Sequence, residues 1–360
     1  MTSTSSSPLL RRPGALDRRV PLVLAAGLKV IERDSGTVQI GAEPPQCVVI
    51  HDLPSGAAQV LAGIDGTSST DDLVSMLIAG CGGDRRTWTG LLQDLCHAGV
   101  LHPHPVAAGL GGTSVVPVVQ PESVDLHRRF GPRAALALLA RREETLVIVR
   151  GAGRVASAIS GVLAGTGVGH VLVQPTRPLL ATDVTPAGLA RGSEPDHERL
   201  AAVARRVHPW VTTHSRIPGT APPTLVVLAG DRPASPMSVA ELQLSRTPHL
   251  IVQAGTAGGV VGPLVLPGRS SCVNCLELHR SDRDPDWPRI ARAVSGSPGV
   301  PTTVLSTRVA AAAAEQALTL IDGRQRPAAV DGTLEMASGD WRIRRRSWHR
   351  HPDCSCVSDG

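Results

Sequence analysis

The chain has almost no aromatic residues and almost no lysine. Tyrosine is absent, phenylalanine occurs once, and Lys29 is the only lysine among 36 basic residues in 360. No lysine can therefore serve a phosphate or any other group in the second half. Long apolar runs are missing too, which excludes a membrane span, and the N-terminal MTSTSSSPLLRRPG lacks the apolar stretch of a signal peptide. The expectation is a cytoplasmic protein with no membrane contact. A net charge of +5 permits an acidic partner without demanding one. What is present is ample apolar material, 42% of residues, enough for one large domain and a small one.

Cysteine is scarce as well, yet four of the seven form two tight pairs: Cys272 and Cys275 in SSCVNCLELH, then Cys354 and Cys356 in HPDCSC. A C-x-x-C followed by a distant C-x-C supplies four soft thiolates, the ligand set that tetrahedral zinc takes in closed, structural sites. Buried thiols or a disulfide pair would be the alternative, although spacing in metal-ligand pairs fits a reducing compartment better. Cys47, Cys81 and Cys96 stand alone and read as core thiols.

Residues 1–20, rich in Ser and Thr and then Arg, read as disordered. Residues 21–105 form a small α+β module. Three β-like runs, GLKVIE, TVQIG and CVVIHDL, precede helical patterns over 54–63, from Ser69-Thr70 onward, and over 84–98. Asp71 and Asp72 favour the first turn of the second helix, and Gly99 stops the third before the short strand VLHPH. Strands, three helices and a closing strand suggest a winged-helix-like unit. Residues 106–124, rich in Pro, Gly and Val, read as a linker. From 125 to 360 the pattern is α/β: a helix over 125–142, then strand TLVIVR, a Gly-rich turn, a helix and strand HVLVQ. Further alternation follows in RLAAVARRVHP, VTTHSRI, TLVVLAGD, SVAELQLSR and HLIVQAG, and it predicts a Rossmann-like, mostly parallel sheet with helices on both faces.

The turn reads Gly151-x-Gly153-x-x-Ala156, the spacing that brings backbone N–H groups and a helix N-terminus to a phosphate. A dinucleotide site also expects an acid about twenty residues on, and Gln174 stands there instead. That departure argues against an NAD(P)-dependent oxidoreductase.

Together, HLIVQAGTAGGVVGPLVLPGRSSCVNCLELH, the glycine-started helix PGVPTTVLSTRVAAAAAEQALTLIDG and the tail HPDCSC resemble the ThiF/MoeB superfamily of ubiquitin-activating-type adenylyltransferases. The GAGRVAS turn and ARRVHPWV fall in the same order, so the resemblance covers about 125–356. It implies structural zinc on Cys272, Cys275, Cys354 and Cys356, and nucleotide contacts at Gly151, Gly153, Ala156 and Asp231. The family's ribose acid, its Asn-x-x-Arg-like segment, its phosphate lysine and its sulfur-carrying cysteine have no counterpart here. Arg205 or Arg206 could supply charge, but a guanidinium does not replace an ammonium. The adenylation site therefore reads as degenerate, with no catalytic residue and with weak or no ATP binding.

Degenerate members with a small module in front resemble the ThiF-like proteins of azole-modified peptide biosynthesis. There a PqqD-like module holds a precursor's leader peptide and a YcaO-type cyclodehydratase does the ATP chemistry. The resemblance implies a leader-peptide partner, a YcaO-type partner and a homodimer. The leader would add as a strand to an exposed edge, with TVQI and CVVI as candidates, against the apolar face around Trp88 and Leu92. Two rival readings stay open. One is an active adenylyltransferase working on a protein or peptide C-terminus. The other is a winged-helix nucleic-acid binder using RIRRRSWHRH, although alternation in WRIRRRSW reads as a strand with a solvated basic face.

Overall fold

The computed structural model describes residues 19–25, 27–42, 47–103, 117–213, 222–295 and 299–357. Most of the N-terminal segment read as disordered, and residues 106–116 of the expected linker, lie outside the described residues. The chain divides into two compact units, Met1–Leu139 and Ala140–Gly360. Among the described residues no helix is long and apolar enough to cross a membrane.

In the first unit the three expected strands form an antiparallel meander: β2 (Val30–Asp34), β3 (Thr37–Ile40) and β4 (Val48–Ile50), with β3 in the middle. TVQI is thus the central strand and not an edge; of the two candidates only CVVI, as β4, lies at the rim. A second sheet places β1 (Pro21–Leu24) between β5 (Asp65–Ser69) and β6 (Leu101–Pro103). The helices are α1 (Ala57–Ala62), α2 (Thr70–Cys81) and α3 (Arg85–His97). Ser69 and Asp72 build a reciprocal capping box at the start of α2, and Asp84 caps α3 by accepting from the N–H groups of Arg86 and Thr87. The amphipathic face of α3 turns inward. Trp88, Leu92 and Leu95 are buried with Leu22, Ile40 and Leu73, and the Trp88 indole donates to Gly82 O at 2.8 Å. Trp88 and Leu92 therefore serve the module's own core and do not form a docking face.

The helix expected over 125–142 is two helices, α4 (Gln120–Phe130) and α5 (Pro132–Glu143). Gly131 sits at φ 84°, and Pro132 has no N–H to continue the ladder. His102 of β6 and His127 of α4 bring their rings to 5.9 Å. Burial, with the charge of His127, lowers the pKa of His102 from 6.5 to about 4. The folded state thus keeps a neutral imidazole that the unfolded chain would protonate. Stability of this unit should fall as pH drops from 6.5 towards 4, and His102→Leu should flatten that slope. Hydrogen-exchange mass spectrometry of peptides from 19–103 across that pH range checks it.

The second unit is built on a seven-stranded sheet. Its strands are β7 (Leu146–Gly151), β8 (His170–Gln174), β9 (Leu225–Gly230), β10 (His249–Ala254), β11 (Gly258–Val265), β12 (Gly332–Ala337) and β13 (Arg344–Ser347). Their order is β13-β12-β11-β10-β9-β7-β8. The four strands from β8 to β10 run parallel, and β11, β12 and β13 extend the sheet antiparallel. The chain leaves β7 for β8 on one side and reaches β9 on the other. The carboxyl ends of β7 and β9 therefore flank a crevice of the kind where open α/β sheets place ligands.

Two helices dominate one face, α6 (Gly153–Gly165) and α11 (Thr303–Asp322). Both carry small buried residues along their contact, among them Ala156, Ser160 and Ala164 facing a run that includes Ala310, Ala313 and Ala317. Short side chains let the axes approach closely. α7 (Asp196–Val207) packs beside α6, while Leu242 of α8 (Pro236–Leu244) joins Val226 and Leu228 of β9 in a separate apolar cluster. Of VTTHSRI, expected as a strand, Thr212 makes a single parallel bridge with His170, and residues 214–217 lie outside the described residues. α9 (Val273–Arg283) and α10 (Trp287–Ser295) complete the unit.

Candidate functional site

Gly151 ends β7 where there is no room for a side chain: a Cβ there would stand 1.8 Å from the Ala229 carbonyl oxygen of β9. Gly153 opens α6 at φ 85°, a conformation that favours glycine. Ala156, fully buried one turn on, closes the turn against the sheet. No side chain caps α6, so its first N–H groups face the crevice. Asp231 follows β9 at the other wall. Gly153 and Asp231 line one crevice, with Gly151 and Ala156 packed behind the turn.

The crevice also holds a side chain that no motif singled out. Arg177, in the loop after β8, donates to Asp183 through Nη1 (2.8 Å) and Nη2 (3.0 Å), and through Nη2 to Asp231 Oδ2 (3.1 Å). Asp183 is buried and also accepts the Leu180 N–H at 2.7 Å. These bonds, first of all those to Asp183, raise the pKa of Arg177 above the ordinary arginine value. A Cβ at Gly153 would stand 3.0 Å from Arg177 Nη2 and 3.1 Å from Asp183 Oδ1, so the guanidinium and its partner lie directly over the glycine turn. Arg154 borders the same space, donating to Thr182 O and to Thr303 Oγ1 at the start of α11. The remaining cavity is about 80 Å³. Gln174, at the ribose position, accepts from Arg150, which is itself paired with Glu241.

Arg205 and Arg206 do not reach this crevice. Arg205 pairs with Glu198 and Thr213, and Arg206 donates to Gly188 O. The positive charge comes from Arg177 and Arg154 instead. Arg177 lies between Thr176 and Pro178 in a segment without periodicity. Asp183 closes a short 3₁₀ turn, and neither stands at a motif spacing.

The two cysteine pairs also meet. Cys272 precedes the first turn of α9, Cys275 lies within that turn, and the C-terminal turn brings Cys354 and Cys356 beside them; all four are buried. Their sulfurs are 3.8 Å (Cys272–Cys275), 3.5 Å (Cys272–Cys354) and 3.4 Å (Cys275–Cys356) apart. Four sulfurs about 2.3 Å from a common tetrahedral centre lie about 3.8 Å from one another, so the group fits a metal and is far too open for a disulfide. Burial pushes the Cys272 thiol up to about 11. Against burial, the Cys356 N–H and the Asn274 side chain lower Cys354 to about 7. The surrounding bonds hold the tail: Asn274 donates to Cys354 Sγ, the Cys354 N–H donates to His351 O, and the buried His351 ring meets Asp282 at 2.8 Å. Of the other cysteines, Cys81 and Cys96 pack partly buried against the first unit's core, and burial raises Cys96 to about 11. Beside the cluster, a cleft of about 800 Å³ is lined by apolar residues that include Val239, Ile251, Val260, Pro263 and Leu276. The starts of α8 and α9 reach its wall at Ser235 and Cys272.

No protein-family profile and no curated protein matches the sequence. In three dimensions the chain is similar to MccB from E. coli. Against MccB with AMPCPP and MccA, the TM-score is 0.70 at 15% identity, over 93% of this chain and 99% of that one. Against the microcin C7 biosynthetic enzyme MccB in complex with N-formylated MccA, it is 0.69 at 14% identity, over the same shares. PaaA gives 0.64 at 16% identity, over 90% of this chain and 99% of that one. The chain therefore has the fold of MccB and PaaA.

Proposed function

We propose that this protein is a non-catalytic or weakly active ThiF-like partner. In this reading residues 21–105 hold a precursor's leader peptide, and the 125–360 part, stapled by zinc on its four clustered cysteines, presents that peptide to a YcaO-type cyclodehydratase in the cytoplasm. The observation that carries the reading is the Arg177 guanidinium lying over the glycine turn between Asp183 and Asp231. It leaves about 80 Å³, whereas pockets for small ligands measure roughly 300–1,000 Å³. A nucleotide would have to displace a bidentate ion pair and would find neither ribose acid nor phosphate lysine. Two lost charge-assisted contacts at roughly 1.5–3 kcal/mol each amount to about two to four decades of affinity. A peptide partner is supported by MccB, whose structures hold the MccA peptide. MccB was also solved with ATP, and Asp231 keeps its place at the end of β9. These two facts favour the second reading, an adenylyltransferase in which Arg177 swings aside.

The β4 rim gives the leader a place to add as a strand, since among the described residues β4 pairs only with β3. Full-length protein titrated with peptides encoded beside its gene should bind one of them, and Val49→Pro should weaken that binding about tenfold by deleting a strand donor. Mg·ATP should bind weakly or not at all, with no pyrophosphate exchange. Low-micromolar ATP affinity, lost in Gly153→Val, together with exchange activity would establish the adenylyltransferase instead.

A further inference from the structure

β13 is the last strand of the large sheet, and all four of its residues, Arg344–Ser347, are exposed. Its inner edge pairs in unbroken register with β12; among the described residues no strand pairs with its outer edge. Just beyond the strand, the Trp348 N–H donates to Asp331 O on the inner side. By the alternation of an antiparallel ladder, Arg346 and Arg344 also bond inward, so the N–H and C=O groups of Arg345 and Ser347 face out.

The side chains around that edge are mostly arginines, and Arg344 already shows the acid it takes by pairing with Asp340 at 3.3 Å. Arg344 and Arg346 stand on one face of the strand and Arg345 on the other, and Arg342 approaches the same end with its guanidinium 5.9 Å from the Trp341 ring. β12 shows what these arginines take from a neighbouring strand: Glu335 lies opposite Arg344 and pairs with Arg346 at 3.1 Å. Charge alone would merely blunt an exposed edge. Here the approach to the strand also exposes Trp341 (82%) and Ile343 (53%), large apolar groups that a purely protective edge has no use for.

We propose that the outer edge of β13 takes up an extended acidic polypeptide segment as an added strand. Its backbone pairs with Arg345 and Ser347, its carboxylates meet Arg342, Arg344 and Arg346, and an apolar side chain covers Trp341. A nucleic acid could neutralise the same arginines but has no groups to continue a strand ladder, so the unpaired edge favours the peptide. The inference is independent of the leader-holding role assigned to residues 21–105.

The test uses full-length protein and a fluorescein-labelled peptide of about eight residues alternating glutamate with valine or threonine, read by anisotropy. Binding should weaken with added salt and should drop about tenfold or more in the Arg342→Glu, Arg344→Glu double variant, whose melting temperature confirms its fold. N-methylation of alternate residues should abolish binding in one register and leave it intact in the other, which a merely ionic contact would not do. The proposal is overturned if both N-methylated peptides bind like the parent. It is equally overturned if a lysine-for-glutamate peptide binds as well, or if a 20-nucleotide single strand binds tighter than the peptide through the same arginines. The peptide comparisons use the unaltered protein and decide the matter even if the double variant fails to fold.

Discussion

Removing one thiolate, as in Cys275→Ser, or treating the protein with a strong chelator is expected to release one zinc per chain and unfold the C-terminal part of the second unit. The four sulfurs sit at tetrahedral spacing in a buried pocket, and metal-free they are thiols crowded to 3.4–3.8 Å with little else beneath them. Apparent binding energies of structural zinc sites are about 10–16 kcal/mol, comparable to the whole stability of a typical domain. Because thiolates bind and thiols do not, the metal should also leave as the pH falls. Elemental analysis, circular dichroism melts with and without chelator, and proteolysis after residue 338 check this. Less than half an equivalent of zinc in fresh, unchelated protein would refute it.

Arg177→Ala should destabilise the second unit strongly. Among the described residues it strips the one side-chain cation paired with Asp183, which is buried, and with Asp231, which is mostly so. Breaking a buried ion pair from one side costs about 3–5 kcal/mol, because the charge left behind has neither water nor partner. For a unit of this size that is a fall of roughly 6–20 °C in melting temperature. The double variant Arg177→Leu, Asp183→Leu should regain much of the loss, since it removes the buried charge along with its partner. The same variants probe the crevice: Arg177→Ala should not acquire ATP binding, because Gln174 still stands where the ribose acid would be. If it does acquire low-micromolar affinity, Arg177 is a gate and the degenerate reading is wrong.

The parallel half of the large sheet was legible because buried strands such as TLVVLAG and HLIVQAG read as continuous apolar runs between helical patterns. Ser69, Asp84 and Gly99 marked helix ends correctly because capping is local chemistry. The two cysteine pairs were visible for the same reason, as close spacing in sequence. What failed was non-local. DGTSS carries no apolar alternation and becomes β5 only because β1 offers it an edge. Which of TVQI and CVVI lies outermost depends on pairing order, which periodicity does not encode. Gly131-Pro132 was a readable break that the apolar pattern of RAALALLARR obscured. Arg177 and Asp183 escaped notice because their meaning is spatial: two loop residues that acquire a role only when β7, β8 and β9 place Asp231 across from them.

The cysteine clamp joins positions 81 and 82 residues apart in the chain. Between them run α10, α11, β12 and β13, more than a third of the second unit. A polypeptide cut short anywhere in that stretch carries only Cys272 and Cys275, a two-sulfur half-site with far weaker hold on the ion. With the proposed zinc in place, the loop would close only once its distal end has been made, and a truncated product would lack the four-sulfur site.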